Sequence, residues 1–138
     1  MQNQIKITTD KANLNIEMIH NFLSKSYWAF GRTIEEVRHS IEHSYCFGIF
    51  IGDKQIGFAR VVSDFTIFAY LMDVFILEEF RGNGYSKLLL EHIFGDEKLK
   101  SVKKWLLATK DAHSLYNKFG FESITNVDRW MEKICSRI

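Results

Sequence analysis

The segment Arg81-Gly82-Asn83-Gly84-Tyr85-Ser86-Lys87 puts two cations and two glycines directly ahead of an apolar run, Ser86–Phe94, that reads as a helix. This composition suits an anion cradle. The first N–H groups of a helix have no internal partners, and the helix dipole adds positive potential at the same place. Gly82 and Gly84 let the backbone come close to an anion with no Cβ in the way. Arg81 and Lys87 can add charge-assisted bonds. The ligand this predicts is a pyrophosphate or another anion, and an ordinary loop with left-handed residues is the alternative from these residues alone. Two other phosphate motifs fail. The P-loop pattern G-x-x-x-x-G-K-[ST] is absent, and the dinucleotide pattern G-x-G-x-x-G would need a glycine where Lys87 stands.

Asp73 is the one acidic residue inside the apolar run 67–77. A buried carboxylate costs several kcal/mol unless it is paired, so Asp73 asks for a partner. It could anchor or deprotonate an amine, or it could serve a structural partner such as Arg60. His39-Ser40-Ile41-Glu42-His43 matches H-x-x-E-H, and on a helix His39 and His43 share a face. A catalytic zinc needs a third protein ligand as well. A polar helix face accounts for these histidines, and no metal is expected. His113 beside Asp111 reads as helix-cap surface. Cys46 and Cys135 have no metal-type spacing and read as buried or idle thiols.

The elements that must hold these groups follow from periodicity. Residues 5–9 and 46–51, 55–62 and 67–77 read as strands, with Gly52-Asp53-Lys54 as a hairpin turn. Residues 14–24 have apolar positions at helical spacing. Thr33 with Glu36 forms a capping box ahead of the stripe Ile34, Val37, Ile41. Past the glycine turn come a helix, a strand at 104–108, a helix at 112–119 ended by Gly120, and two further strands at 121–124 and 130–134. The order predicts a single α/β (α+β) domain over 1–138, with one mixed, mostly antiparallel sheet flanked by helices.

Composition narrows the classes. With 46% hydrophobic and 25% charged residues the chain can bury a core, and a net charge of +1 gathers neither nucleic acid nor acidic lipid. No apolar run approaches the ~20 residues that span a bilayer, and the start of the chain is polar, so a cytoplasmic protein is expected.

The sequence resembles the GNAT superfamily of N-acetyltransferases. That family carries [QR]-x-x-G-x-[GA] at the strand-to-helix turn, read here as Arg81-Gly82-Asn83-Gly84-Tyr85-Ser86 after Val74-Phe75-Ile76. A later helix carries Tyr and Gly-Phe, here within Ala112–Phe121. The two motifs lie about 30 residues apart, as a β-α-β-α unit requires. Ser86 stands where Gly or Ala is usual, and Asp111 where many members have Asn; Asp111 is expected to cap the following helix.

The resemblance implies acetyl-CoA as donor, with its pyrophosphate on the turn Arg81, Gly82, Asn83, Gly84, Tyr85, Ser86 and Lys87, and its pantetheine arm along Val74, Phe75 and Ile76. Asp111 is placed near the cofactor. Tyr116 matches the family's general acid, or else only packs against the thioester. Asp73 is the second catalytic candidate. Tyr27, Trp28 and Arg32, with Trp130, are candidates for binding the acceptor. That acceptor is expected to be a small-molecule primary amine, with no nucleic-acid or membrane partner and a monomer or homodimer as the working unit. The alternative is a coenzyme A-binding sensor without turnover.

Overall fold

The structure is a computed structural model that describes residues 4–136, in two compact units that meet in sequence at Leu107/Ala108. The first unit is built on five strands: β1 (Ile5–Thr8), β2 (Tyr45–Ile51), β3 (Lys54–Ser63), β4 (Phe68–Ile76) and β5 (Lys104–Leu106). They lie in the order β1-β2-β3-β4-β5. The first three pairings are antiparallel and β4 with β5 is parallel. A parallel neighbour needs a crossover, and here it contains α3 (Tyr85–Phe94), whose Leu89, Leu90 and Ile93 are buried. The expected mixed, mostly antiparallel sheet with flanking helices is thus observed.

Two helices precede β2. α1 (Ile16–Ser24) begins two residues later than the periodicity suggested. Asn15 caps it by accepting the Met18 N–H at 3.0 Å, and Leu14 stays extended with its side chain in the core. α2 (Ile34–Glu42) opens on the predicted capping box: Thr33 Oγ1 accepts the Glu36 N–H and Glu36 Oε1 accepts the Thr33 N–H. Ile19 and Leu23 from α1 join Val37 and Ile41 from α2, and with Phe58 and Phe75 from the sheet they form one core. Burying such side chains is worth about 1.5–3 kcal/mol each, and this holds the helices on the sheet.

The second unit contains α4 (His113–Asn117). Its end is a Schellman motif centred on Gly120, at φ +91°. The Phe121 N–H donates to the Tyr116 carbonyl and the Gly120 N–H to the Asn117 carbonyl, while the Phe121 ring meets Tyr116 edge-on. Gly120 is therefore the C′ residue, as expected. The other end has no side-chain cap, where Asp111 was expected to supply one. Thr109 Oγ1, rather than Asp111, accepts the Ala112 N–H at 3.1 Å. The strands expected at 121–124 and 130–134 are also absent among the described residues, which hold a short 3-10 turn, Val127–Arg129. Strand propensity is realised only against a hydrogen-bonding partner, and the described residues of the second unit hold no strand to supply one.

Candidate active site

Asp73 lies on the inward face of β4 and its side chain is only 1% exposed. β3 and β4 lose register beside it. Phe58 pairs with Phe75 and Arg60 with Met72, so Ala59 alone faces both Asp73 and Val74. This is a β-bulge with Asp73 at φ +56°, the left-handed region that Asp tolerates better than most residues. Asp73 Oδ2 accepts from Arg60 Nε and from Arg32 Nη1, both at 2.9 Å, and Oδ1 accepts from Trp28 Nε1 at 3.0 Å. The buried carboxylate thus has its partners. Both structural and loop residues supply them, and Arg60, weighed from sequence as a structural partner, is one.

Arg60 is itself held on every side. Its Nη1 donates to Ser44 Oγ at 3.0 Å and its Nη2 approaches Met72 Sδ at 3.1 Å. Ser44 and Met72 were not singled out from sequence. The readable signal was Arg60 itself, a lone cation in a strand otherwise buried from Gln55 to Val61. One carboxylate between two guanidiniums leaves the cluster with a net positive charge.

The loop between α1 and α2 brings Trp28 and Arg32 to β4. Ser26 Oγ donates to the Leu23 carbonyl and accepts the Ala29 N–H, and the Arg32 N–H donates to the Ala29 carbonyl. Behind the loop Phe22 stacks on Phe75 with ring centroids 3.9 Å apart, and Tyr27 meets Trp28 edge-on. The structure therefore brings Trp28 and Arg32, predicted together on one loop, onto Asp73, which was predicted apart from them. Tyr27 and Trp28 remain exposed, and the Arg32 side chain is 20% exposed. A guanidinium has five N–H donors, so Arg32 can hold Asp73 and still face a ligand.

β4 continues past its neighbour. Among the described residues β5 pairs with it only at Phe68, Ala69 and Tyr70, and Leu71–Ile76 has strand pairing along one side, to β3. Val74, Phe75 and Ile76 lie on this one-sided stretch. Phe75 and Ile76 are buried, so only their backbone can meet a ligand. The glycine turn follows at once and is tied back to the strand by Arg81 Nε, which donates to the Ile76 carbonyl at 3.0 Å. Asn83 Nδ2 donates to the Phe80 carbonyl. Gly82 and Gly84 have φ of +84° and +80°, and a Cβ on either would meet no atom within 4 Å. Their need for glycine is thus conformational within the protein itself. Gly84 is the N-cap of α3, no side chain caps this end, and the first helical bond runs from the Leu88 N–H to the Gly84 carbonyl. The N–H groups of Tyr85, Ser86 and Lys87 open the helix beside exposed Arg81 and Lys87. This is a fit for a phosphate group.

In the second unit Tyr116 is buried and fixed in the last turn of α4. Asp111 is exposed ahead of that helix, and Trp130 closes the 3-10 turn in an extended conformation. Elsewhere, burial pushes the Cys46 thiol up to about 12, which makes it an inert packing residue, while Cys135 is exposed. A cleft of about 570 Å³ lined by Ile7, Phe47, Glu91, His92 and Asp96 contains none of the predicted site residues.

Residues 42–123 match the family model of the GNAT acetyltransferase domain. Among solved structures, a protein of Xanthomonas campestris pv. campestris assigned to the GNAT family of acetyltransferases is 40% identical, with a TM-score of 0.93 over 97% of this chain and 95% of that one. A protein of Gibberella zeae named as an acetyltransferase is 27% identical over 135 residues, 81% of this chain and 75% of its own length. A Clostridium acetobutylicum protein described as an acetyltransferase, whose crystal structure is with acetyl-CoA, shares the fold at 16% identity and a TM-score of 0.69, over 95% of this chain and 96% of that one. Among the described residues no helix is long and apolar enough to cross a membrane.

Proposed function

We propose, from the premise that this chain belongs to the GNAT family of acetyltransferases, that it moves an acetyl group from acetyl-CoA to a primary amine on a small molecule. The observation that carries this reading is the one-sided stretch Leu71–Ile76 running directly into an uncapped, glycine-built helix start. A peptide-like arm can add to the open strand edge as a further strand would, and the N–H groups that open α3 can take the attached phosphates. Arg81 and Lys87 add charge, and Ser86 and Asn83 complete the turn. Val74, Phe75 and Ile76 contribute backbone only. Asp111 has a looser claim on the cofactor, because it makes no capping bond to α4 that would fix it.

Bound there, acetyl-CoA supplies an activated acetyl thioester. Backbone N–H groups of the open edge can stabilise negative charge that develops on its carbonyl oxygen. Tyr116 is assigned as the acid that protonates the departing thiolate, a step its phenol can perform. Arg32 and the aromatic pair Tyr27 and Trp28 are assigned to the acceptor, which favours an amine that also carries a carboxylate. Trp130 is assigned to the same task on the strength of its place in the sequence. For Asp73 the geometry favours positioning. Its side chain is only 1% exposed and its oxygens already accept three bonds, which leaves an amine little access to them. Its role is to fix the bulge and to orient Trp28 and Arg32.

Release of free thiol from acetyl-CoA in the presence of a panel of amines, with and without carboxylates, tests the reading. Turnover on a carboxylate-bearing amine is expected. It should fall by about 10²-fold or more in Tyr116→Phe, the size of a general-acid contribution. Full turnover in Tyr116→Phe would remove Tyr116 as the acid. Coenzyme A binding without thiol release on any amine would favour a sensor.

A further inference from the structure

α2 buries Val37 and Ile41 and turns His39, Glu42 and His43 to solvent. The spacing i, i+3, i+4 places all three side chains on one face of the last turn. The His39 and His43 rings have centroids 4.5 Å apart, and one ligand atom from each of His39, Glu42 and His43 lies within 4.8 Å of the others. Glu42 already stands in the H-x-x-E-H pattern, and the structure brings its carboxylate within reach of both histidines as a third donor.

We propose that His39, Glu42 and His43 form a surface site for a divalent transition ion of borderline softness, with Zn²⁺, Ni²⁺ and Cu²⁺ as the class. Two imidazoles and one carboxylate are the donors such ions prefer. An ion at 2.0–2.2 Å from each donor in tetrahedral geometry needs the donors roughly 3.4 Å apart. The present separation can close to that by rotations of these exposed side chains. Two further features favour a cation. Glu42 contributes a full negative charge. His43 is the C-cap of α2, where the final carbonyls carry the negative end of the helix dipole. One feature opposes it: Lys11 Nζ already donates to the Glu42 carbonyl at 2.9 Å. With three protein ligands the ion keeps open positions for water, unlike a closed structural zinc centre. None of the three side chains belongs to the proposed acyl-transfer machinery, so the site stands or falls independently of it.

The test is calorimetric titration of ZnCl₂ into the full chain carrying Cys135→Ser, which removes an exposed thiol that binds zinc by itself. Binding of one ion per chain, weakened about tenfold or more in His39→Gln and in His43→Gln and to a smaller degree in Glu42→Gln, is the expected result. All three positions are exposed, and unchanged circular dichroism and thermal midpoint of the metal-free variants would exclude misfolding as the cause. Undiminished binding in the His39→Gln/His43→Gln double variant would overturn the site, as would the absence of binding at millimolar zinc.

Discussion

Asp73 combines a left-handed backbone, a bulge and a buried charge at one position, and each constrains what can replace it. Asn tolerates the backbone and keeps the shape, but removes the charge between two guanidiniums. Ala removes the carboxylate altogether and adds strain at positive φ. Loss of one member of a buried ion pair costs about 3–5 kcal/mol, because the partners are left charged and unpaired. Asp73→Ala should therefore lose about that much in urea unfolding, and Asp73→Asn clearly less. Equal losses would mean that the charge between the guanidiniums carries the effect and that the retained shape contributes little. The need for a partner was legible in the sequence, since a carboxylate in an apolar strand is costly alone. Arg60 could be named as one partner, but Trp28 and Arg32 could not, because they lie more than 40 residues away on a loop whose path depends on the packing of Phe22 against Phe75.

At the scale of elements, local signals served well where hydrogen bonds are local. The Thr33/Glu36 box, the turn between β2 and β3, and the Gly120 cap all close within a few residues, and each is found where the sequence placed it. Features that depend on distant partners were not legible. Nothing in Leu71-Met72-Asp73-Val74 announces that β5 stops pairing at Tyr70, or that 121–124 and 130–134 find no strand to join. The loop between β3 and β4 belongs to the local class and makes a sharp prediction. Asp64 Oδ1 accepts the N–H groups of Thr66, Ile67 and Phe68, at 2.8–3.2 Å, and Phe65 sits at φ +64° within that turn. These bonds favour the carboxylate and hold its folded pKa below the ordinary 3.8. The stability they add is whole above 3.8 and is lost as pH falls through the lower, folded value. Asp64→Asn should accordingly show a shallower decline of unfolding free energy between mildly acidic and strongly acidic buffer. An unchanged acid limb would show that the turn is indifferent to this charge.

For the whole molecule, the family match covers residues 42–123 and therefore takes in the open stretch of β4, the glycine turn and Tyr116. It leaves out the loop bearing Tyr27, Trp28 and Arg32, and also Trp130. The residues assigned to the donor thus lie within the match, while those assigned to the acceptor lie outside it. A donor that binds only the folded chain must stabilise it, by RT ln(1 + [L]/Kd), or about 2.7 kcal/mol at a hundredfold excess over Kd. For a chain of this size that raises the thermal midpoint by roughly 8–12 °C. Coenzyme A should produce this shift, and a small amine acceptor alone a much smaller one. Gly84→Val sharpens the test. Its φ of +80° penalises a β-branched side chain by itself, so the free variant should melt lower. The added methyls also stand at the head of α3, over the N–H groups proposed for the phosphates, so the coenzyme A-induced shift should shrink as well. A lower midpoint with an undiminished shift would mean that Gly84 serves only the fold, and that the phosphates are held elsewhere.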